Sequence, residues 1–209
     1  MLTANINNGG NSQVSIARLV IYPLELHYVP DDRRILANAL SEIEFIGEQL
    51  PVADPAIAPT INNGQRFLIG DQFLNFVTFM GCSPAIEIEP PDNGSEDFCH
   101  VVISPAHDKT EFCADAAGKG PRCPHCRHEE QDWQTLAKQY QDDTALEYVC
   151  PQCQQITPLL NLNWRKSAVA ARIFISIYSV FPNEAVLADK VLQVLEQATG
   201  ARWRYFYSR

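Results

Sequence analysis

Two short turns, Cys123-Pro124-His125-Cys126 and Cys150-Pro151-Gln152-Cys153, constrain this 209-residue chain more than any other feature. Two residues between cysteines let both sulfurs reach one ion, and the N–H groups of such a turn can hydrogen-bond the thiolates and moderate their charge. Two turns supply four sulfurs, Cys123, Cys126, Cys150 and Cys153. That set completes the tetrahedron zinc takes in structural sites and leaves no open position for an activated water or a substrate. Zinc is the expected metal, with iron as its substitute. His125 and His128 could replace a cysteine, but each turn already provides its two sulfurs, so both are read as solvated.

The pair of turns resembles the knuckles of zinc ribbons and rubredoxin-like proteins, over residues 120–157 only. Those families usually place glycine directly after the second cysteine. Here Arg127 and Gln154 stand there, so the turn must use a non-glycine residue or a different backbone shape. This departure argues against an electron-transferring iron centre of the rubredoxin kind and leaves the ligand assignment intact.

The chain has seven cysteines, an odd number, with four in metal-type spacing. That pattern fits a reducing compartment and argues for a metal over disulfides. Cys82, Cys99 and Cys113 are read as buried thiols. The longest apolar run, residues 168–181, is interrupted by Arg172 and is too short to span a bilayer. Residues 1–13 are polar and Asn/Gly-rich, which reads as a disordered tail and not as a secretory signal. The expected location is the cytoplasm.

Charge is unevenly spread over the chain's net −9. Residues 1–117 hold 5 Lys/Arg and 16 Asp/Glu (−11), residues 118–157 hold 4 and 6 (−2), and residues 158–209 hold 7 and 3 (+4). A four-thiolate zinc site adds about two negative charges to the middle segment. Ribbons that grip nucleic acid need a basic face, so the charge argues against that partner and suits a basic protein partner or self-association.

Residues 14–29 read as a strand with apolar residues on both faces. An acidic helix start at Pro30-Asp31-Asp32 precedes Ile35, Leu36, Ala39, Leu40, Ile43, Ile46 and Leu50, whose spacing predicts one helix ending by Pro51. A loop over 51–65, strands at 67–69 and 73–80, and a hairpin of 85–89 with 98–104 follow. Residues 105–121 read as a linker. Between the cysteine turns, Trp133, Leu136, Ala137 and Tyr140 predict a helix over 129–141, with a strand at 146–149.

Near the C-terminus, Ala171-Arg172-Ile173-Phe174-Ile175 echoes Ala17-Arg18-Leu19-Val20-Ile21, and each leads through a proline to a helix. The second helix is expected over 184–199, with Gly200 as C-cap and a strand over 201–207. Two strand–helix–strand halves predict an α+β fold: a mostly antiparallel sheet with helices on one face, ferredoxin-like or related. Residues 14–117 and 158–209 would form one domain, with residues 118–157 inserted as a zinc-ribbon module.

Two competing sites deserve weighing. Cys99, His100, His107, Asp108 and Cys113 hold thiol, imidazole and carboxylate chemistry, so an enzyme pocket near Cys99, His107 and Cys113 is the alternative function. Their spacing matches no motif with an assignable mechanism, and neighbours Cys99 and His100 on a strand must face opposite ways. Arg202-Trp203-Arg204-Tyr205-Phe206-Tyr207 alternates basic and aromatic residues, as a stacking platform for single-stranded nucleic acid would, so nucleic-acid binding through this strand is a further alternative, but sheet packing alone requires the same period. The leading expectation is a cytoplasmic, non-enzymatic zinc protein that acts through protein–protein contacts.

Overall fold

The computed structural model describes residues 17–51, 64–79, 86–92, 95, 97–180 and 185–208. The expected tail over 1–13, Cys82, the helix-start pair Pro182-Asn183 and most of the loop over 51–65 lie outside the described residues. In chain order the first elements are β1 (Arg18–Pro23), α1 (Arg34–Glu42), β2 (Ile46–Leu50), β3 (Gln65–Ile69), α2 (Phe73–Phe76), β4 (Val77–Phe79) and β5 (His100–Ile103). Then come β6 (Glu111–Ala114), α3 (Trp133–Asp142), β7 (Glu147–Val149), β8 (Ile156–Pro158), β9 (Ala168–Ala171), β10 (Ile175–Tyr178), β11 (Ala185–Leu187), α4 (Asp189–Thr199) and β12 (Trp203–Ser208).

Six strands form one sheet in the order β12-β1-β10-β5-β3-β2, every neighbouring pair antiparallel. It follows that β5 runs parallel to β1 across β10, and β12 parallel to β10 across β1. Helix α1 lies in the first connection and α4 in the second. Strands β12-β1-β10-β5 with α1 and α4 are thus two interleaved β-α-β units, the split arrangement of the ferredoxin-like class. The hairpin β2–β3 extends the sheet beyond β5. The two echoing segments touch through their last residues, where Ile21 pairs with Ile175.

Both faces of the sheet are covered, as the apolar residues on both sides of β1 predict. Leu36 and Leu40 of α1 and Val191 and Leu195 of α4 pack on Leu19, Ile21, Val101, Ile103, Ile175 and Ile177. Burying each such side chain contributes about 1.5–3 kcal/mol relative to leaving it exposed. On the opposite face Val20, Phe174 and Phe206 form a smaller cluster with Ala171, against which Cys113 and Val169 lean. These last three residues come from the two-stranded ribbon β6–β9, in which Cys113 pairs with Val169.

Several elements differ from the sequence expectation for identifiable reasons. The first helix stops at Glu42, well short of Leu50. Glu44 takes φ 53°, its N–H bonds the Ser41 carbonyl (2.9 Å), and the Phe45 N–H reaches back to the Leu40 carbonyl (2.9 Å). This is a Schellman C-cap made without glycine, locked by the fully buried Phe45 ring. Ile46 to Leu50 therefore begin a strand, and Gly70 lets β3 return close by, since a Cβ there would collide with the Glu44 carbonyl.

Residues 73–76 form a short helix ahead of β4, and β4 pairs with β11, which occupies the start of the expected second helix. Residues 86–89 form no strand. The hairpin is represented by one bond from the Cys99 N–H to the Glu87 carbonyl (2.7 Å), while β5 pairs with β3 and β10. The apolar run over 168–181 divides between β9 in the ribbon and β10 in the main sheet. Gly200 caps α4 at φ 71°, as read from the sequence.

Candidate metal centre

The two cysteine turns fold identically. In the first, the Cys123 N–H donates to the His128 carbonyl (2.8 Å) and the Arg127 N–H to the Cys123 carbonyl (3.0 Å). In the second, the Cys150 N–H donates to the Gln155 carbonyl (3.0 Å) and the Gln154 N–H to the Cys150 carbonyl (2.9 Å). Arg127 and Gln154 take φ 64° and 58°, so the turns keep a left-handed residue after the second cysteine and fill it without glycine. For a residue with a Cβ this conformation costs roughly 1–2 kcal/mol.

The four sulfurs all lie within 4.8 Å of one another. Cys123 Sγ is 3.8 Å from Cys153 Sγ, and Cys126 Sγ is 3.6 Å from Cys150 Sγ. These distances are far beyond a disulfide bond of about 2.05 Å. They match the edge of a tetrahedron with metal–sulfur bonds of about 2.3 Å, whose sulfurs stand about 3.8 Å apart. The donor set fits a metal ion.

Electrostatics at the cluster is dominated by the turns and by the sulfurs themselves. Burial pushes the Cys150 thiol up, but N–H groups of Cys153 and Gln152 aimed at its sulfur outweigh that and hold it at about 6. At Cys126 the His128 N–H pulls down, yet burial and the neighbouring sulfurs of Cys153, Cys150 and Cys123 push the thiol up to about 12. Four thiolates this close repel one another, and a cation shared by all four removes that repulsion. His125 is exposed and His128 half-buried, and neither imidazole belongs to the four-sulfur group.

An apolar cluster holds the turns in place. Cys123 and Cys150 are buried with Trp133 and Tyr140 of α3, Tyr148, Leu159, Leu162 and Trp164. Trp164 meets the edges of Trp133 (5.9 Å between centroids) and Phe112 (4.9 Å), and its Nε1–H donates to the Leu159 carbonyl (2.9 Å). Phe112 belongs to β6, inside the stretch read as a linker. That stretch is structured, and it joins the cysteine cluster to the second face of the sheet. The Tyr148 hydroxyl donates to Glu130 (3.0 Å), and Glu129 pairs with Arg122 and Arg165 (3.3 Å each).

The competing cluster is split by the fold. Cys99 is fully buried beneath the helices, and burial pushes its thiol up to about 12. His100 lies on the other side of the sheet, stacked between Phe98 (4.5 Å) and Tyr178 (4.9 Å). His107 and Cys113 line a cleft of about 370 Å³ on that same side, and Asp108 is exposed. His107 Nδ1 sits 3.8 Å from Glu111, whereas Cys113 Sγ accepts from Arg18 Nη2 (3.4 Å), so the two are not paired as base and nucleophile. The sequence reading overlooked Arg18 and Tyr178, which meet at this cleft. The signal was a lone arginine inside the apolar run of β1.

The C-terminal aromatics are used in packing. Trp203 is buried and its Nε1–H donates to Thr199 Oγ1 (2.9 Å), while the Tyr207 hydroxyl donates to the Ala185 carbonyl. Arg204 and Phe206 point to the opposite face from Trp203, Tyr205 and Tyr207, as the alternation requires. Among the described residues, no helix is long and apolar enough to cross a membrane. No protein-family model matches the chain, and searches of curated proteins and of solved structures likewise find no match.

Proposed function

We propose that Cys123, Cys126, Cys150 and Cys153 bind one zinc ion as a structural centre, and that the protein acts through contacts with another protein. The observation that carries the first part is the four-sulfur cluster itself, set on two matching turns. A site whose ligands are all protein sulfurs stiffens a fold and offers no vacancy for chemistry. Iron would fit the same donors as a substitute. The reading implies a reducing compartment such as the cytoplasm, where thiols persist.

The second part rests on the hairpin that leads into and out of the second turn. Val149 and Ile156 stand opposite each other on β7 and β8, 53% and 59% exposed. The metal makes that apolar pair a rigid contact point in an acidic setting, suited to a partner surface with a basic rim.

Elemental analysis of freshly purified protein should find one zinc per chain, lost in Cys123→Ser and Cys150→Ser. Absence of both zinc and iron would refute the metal centre. Pull-down and a sizing column should show association that Val149→Asp with Ile156→Asp abolishes. A chain that stays a solitary monomer in both assays would refute the interaction. Catalysis at the cleft would need a reactive thiol, and uniformly slow labelling of Cys99 and Cys113 is expected instead.

A further inference from the structure

We propose that the cleft between the second face of the sheet and β6 is a binding site for a small organic anion, a carboxylate or phosphate carried on an apolar body, with the Arg18 guanidinium as its anchor. The cleft's volume of about 370 Å³ falls in the range of small-molecule sites. Arg18 lines it from the first position of β1, where it pairs with Tyr178 of β10 and with Ser208 of β12.

The guanidinium is fixed but not neutralised. Its Nη1 donates to the Tyr178 hydroxyl (3.2 Å), its Nη2 to Cys113 Sγ (3.4 Å), and its carbon lies 5.8 Å from the centre of the Tyr178 ring. Among the described residues, no carboxylate forms an ion pair with it. Glu111, the acidic residue lining the cleft, is turned to His107 Nδ1 at 3.8 Å. Burial pushes the Cys113 thiol up against the pull of Arg18, so the sulfur is a protonated, weak acceptor. A largely buried cation without a counter-charge is costly, and an anion that enters offsets the cost with charge-assisted, bidentate hydrogen bonds.

The rest of the lining defines the ligand's body. Ser176 adds a hydroxyl to the lining, while Val20, Val102 and Phe174 offer apolar walls. Phe112 also lines the cleft, and its ring packs on Trp164 and Tyr140 of the cysteine cluster. The cleft therefore has one wall built on the metal-bearing half of the molecule.

The test is a titration of the zinc-loaded full chain with phenyl phosphate, benzoate and uncharged benzamide, followed by amide shifts in nitrogen-15 NMR. The expected result is saturable shifts at residues 18, 102, 113 and 176 with one or both anions, and binding of benzamide about tenfold weaker or worse. The two anionic arms show which headgroup is preferred. Arg18→Met should lose about tenfold in affinity for the preferred anion while keeping its zinc and its melting temperature. Should that variant not fold, the wild type decides: the bound anion should slow alkylation of Cys113 by iodoacetamide, and benzamide should not. Absence of binding, equal binding of benzamide, unchanged affinity in a folded Arg18→Met, or no protection of Cys113 overturns the proposal.

Discussion

Replacing Arg127 with glycine should tighten metal binding, and the size of the effect follows from one dihedral angle. Arg127 holds φ 64° directly after Cys126, and its N–H closes the turn on the Cys123 carbonyl at 3.0 Å. A Cβ in this region costs roughly 1–2 kcal/mol, which glycine does not incur. Glycine also loses more backbone entropy on folding, about 0.5–1 kcal/mol. The net gain is about 0.5–1 kcal/mol. Metal ligation by this cluster would require the turn's conformation, so the gain is expected to read out as metal affinity, roughly two- to fivefold.

Arg127 is the clean position, since its side chain is exposed. Gln154, at φ 58°, would also lose the bond from its Nε2 to the Pro151 carbonyl (3.0 Å), so Gln154→Gly should gain less. The assay is competition for zinc against a chromophoric chelator at fixed pH, comparing wild type, both single variants and the double. Equal or weaker affinity in Arg127→Gly would refute the argument that the left-handed turn is strained by its side chain.

Two further outcomes follow from the structure. His100 is fully buried, and desolvation holds its imidazole down at about 4, against 6.5 when exposed. The unfolded chain then binds a proton that the folded one refuses, so stability is full above pH 6.5 and falls as pH drops to 4, by up to about 3 kcal/mol. His100→Phe keeps the ring stack and should flatten denaturant-measured stability over that window; an unchanged slope would refute the assignment. A Cβ added at Gly120 would run into the Glu130 carbonyl and lie 2.9 Å from Trp133 Cδ1. Gly120→Ala should therefore loosen the cysteine cluster by about 1–3 kcal/mol, visible as faster zinc release to a chelator, and wild-type release rates would count against it.

Features decided within a few residues were legible in the one-dimensional pattern. The four clustered cysteines follow from Cys-x-x-Cys spacing, because two sulfurs three positions apart converge in a tight turn. Helix α3 follows from Trp133, Leu136, Ala137 and Tyr140, and the end of α4 from Gly200, each a matter of local periodicity or local φ. The α+β class followed from two amphipathic helices, each preceded by a strand.

Features decided by distant partners were not legible. Glu44 ends α1 because Phe45 has a core to enter, and no glycine marks the spot. The apolar run over 168–181, interrupted by Arg172, divides between two sheets because β6 and β1 claim successive stretches of it. Arg18 becomes a buried charge only once Cys113, 95 positions away, and Tyr178, 160 positions away, close around it. Short-range spacing determined which atoms can hold a metal. The cleft around Arg18 exists only through contacts between residues far apart in the chain, which no local pattern encodes.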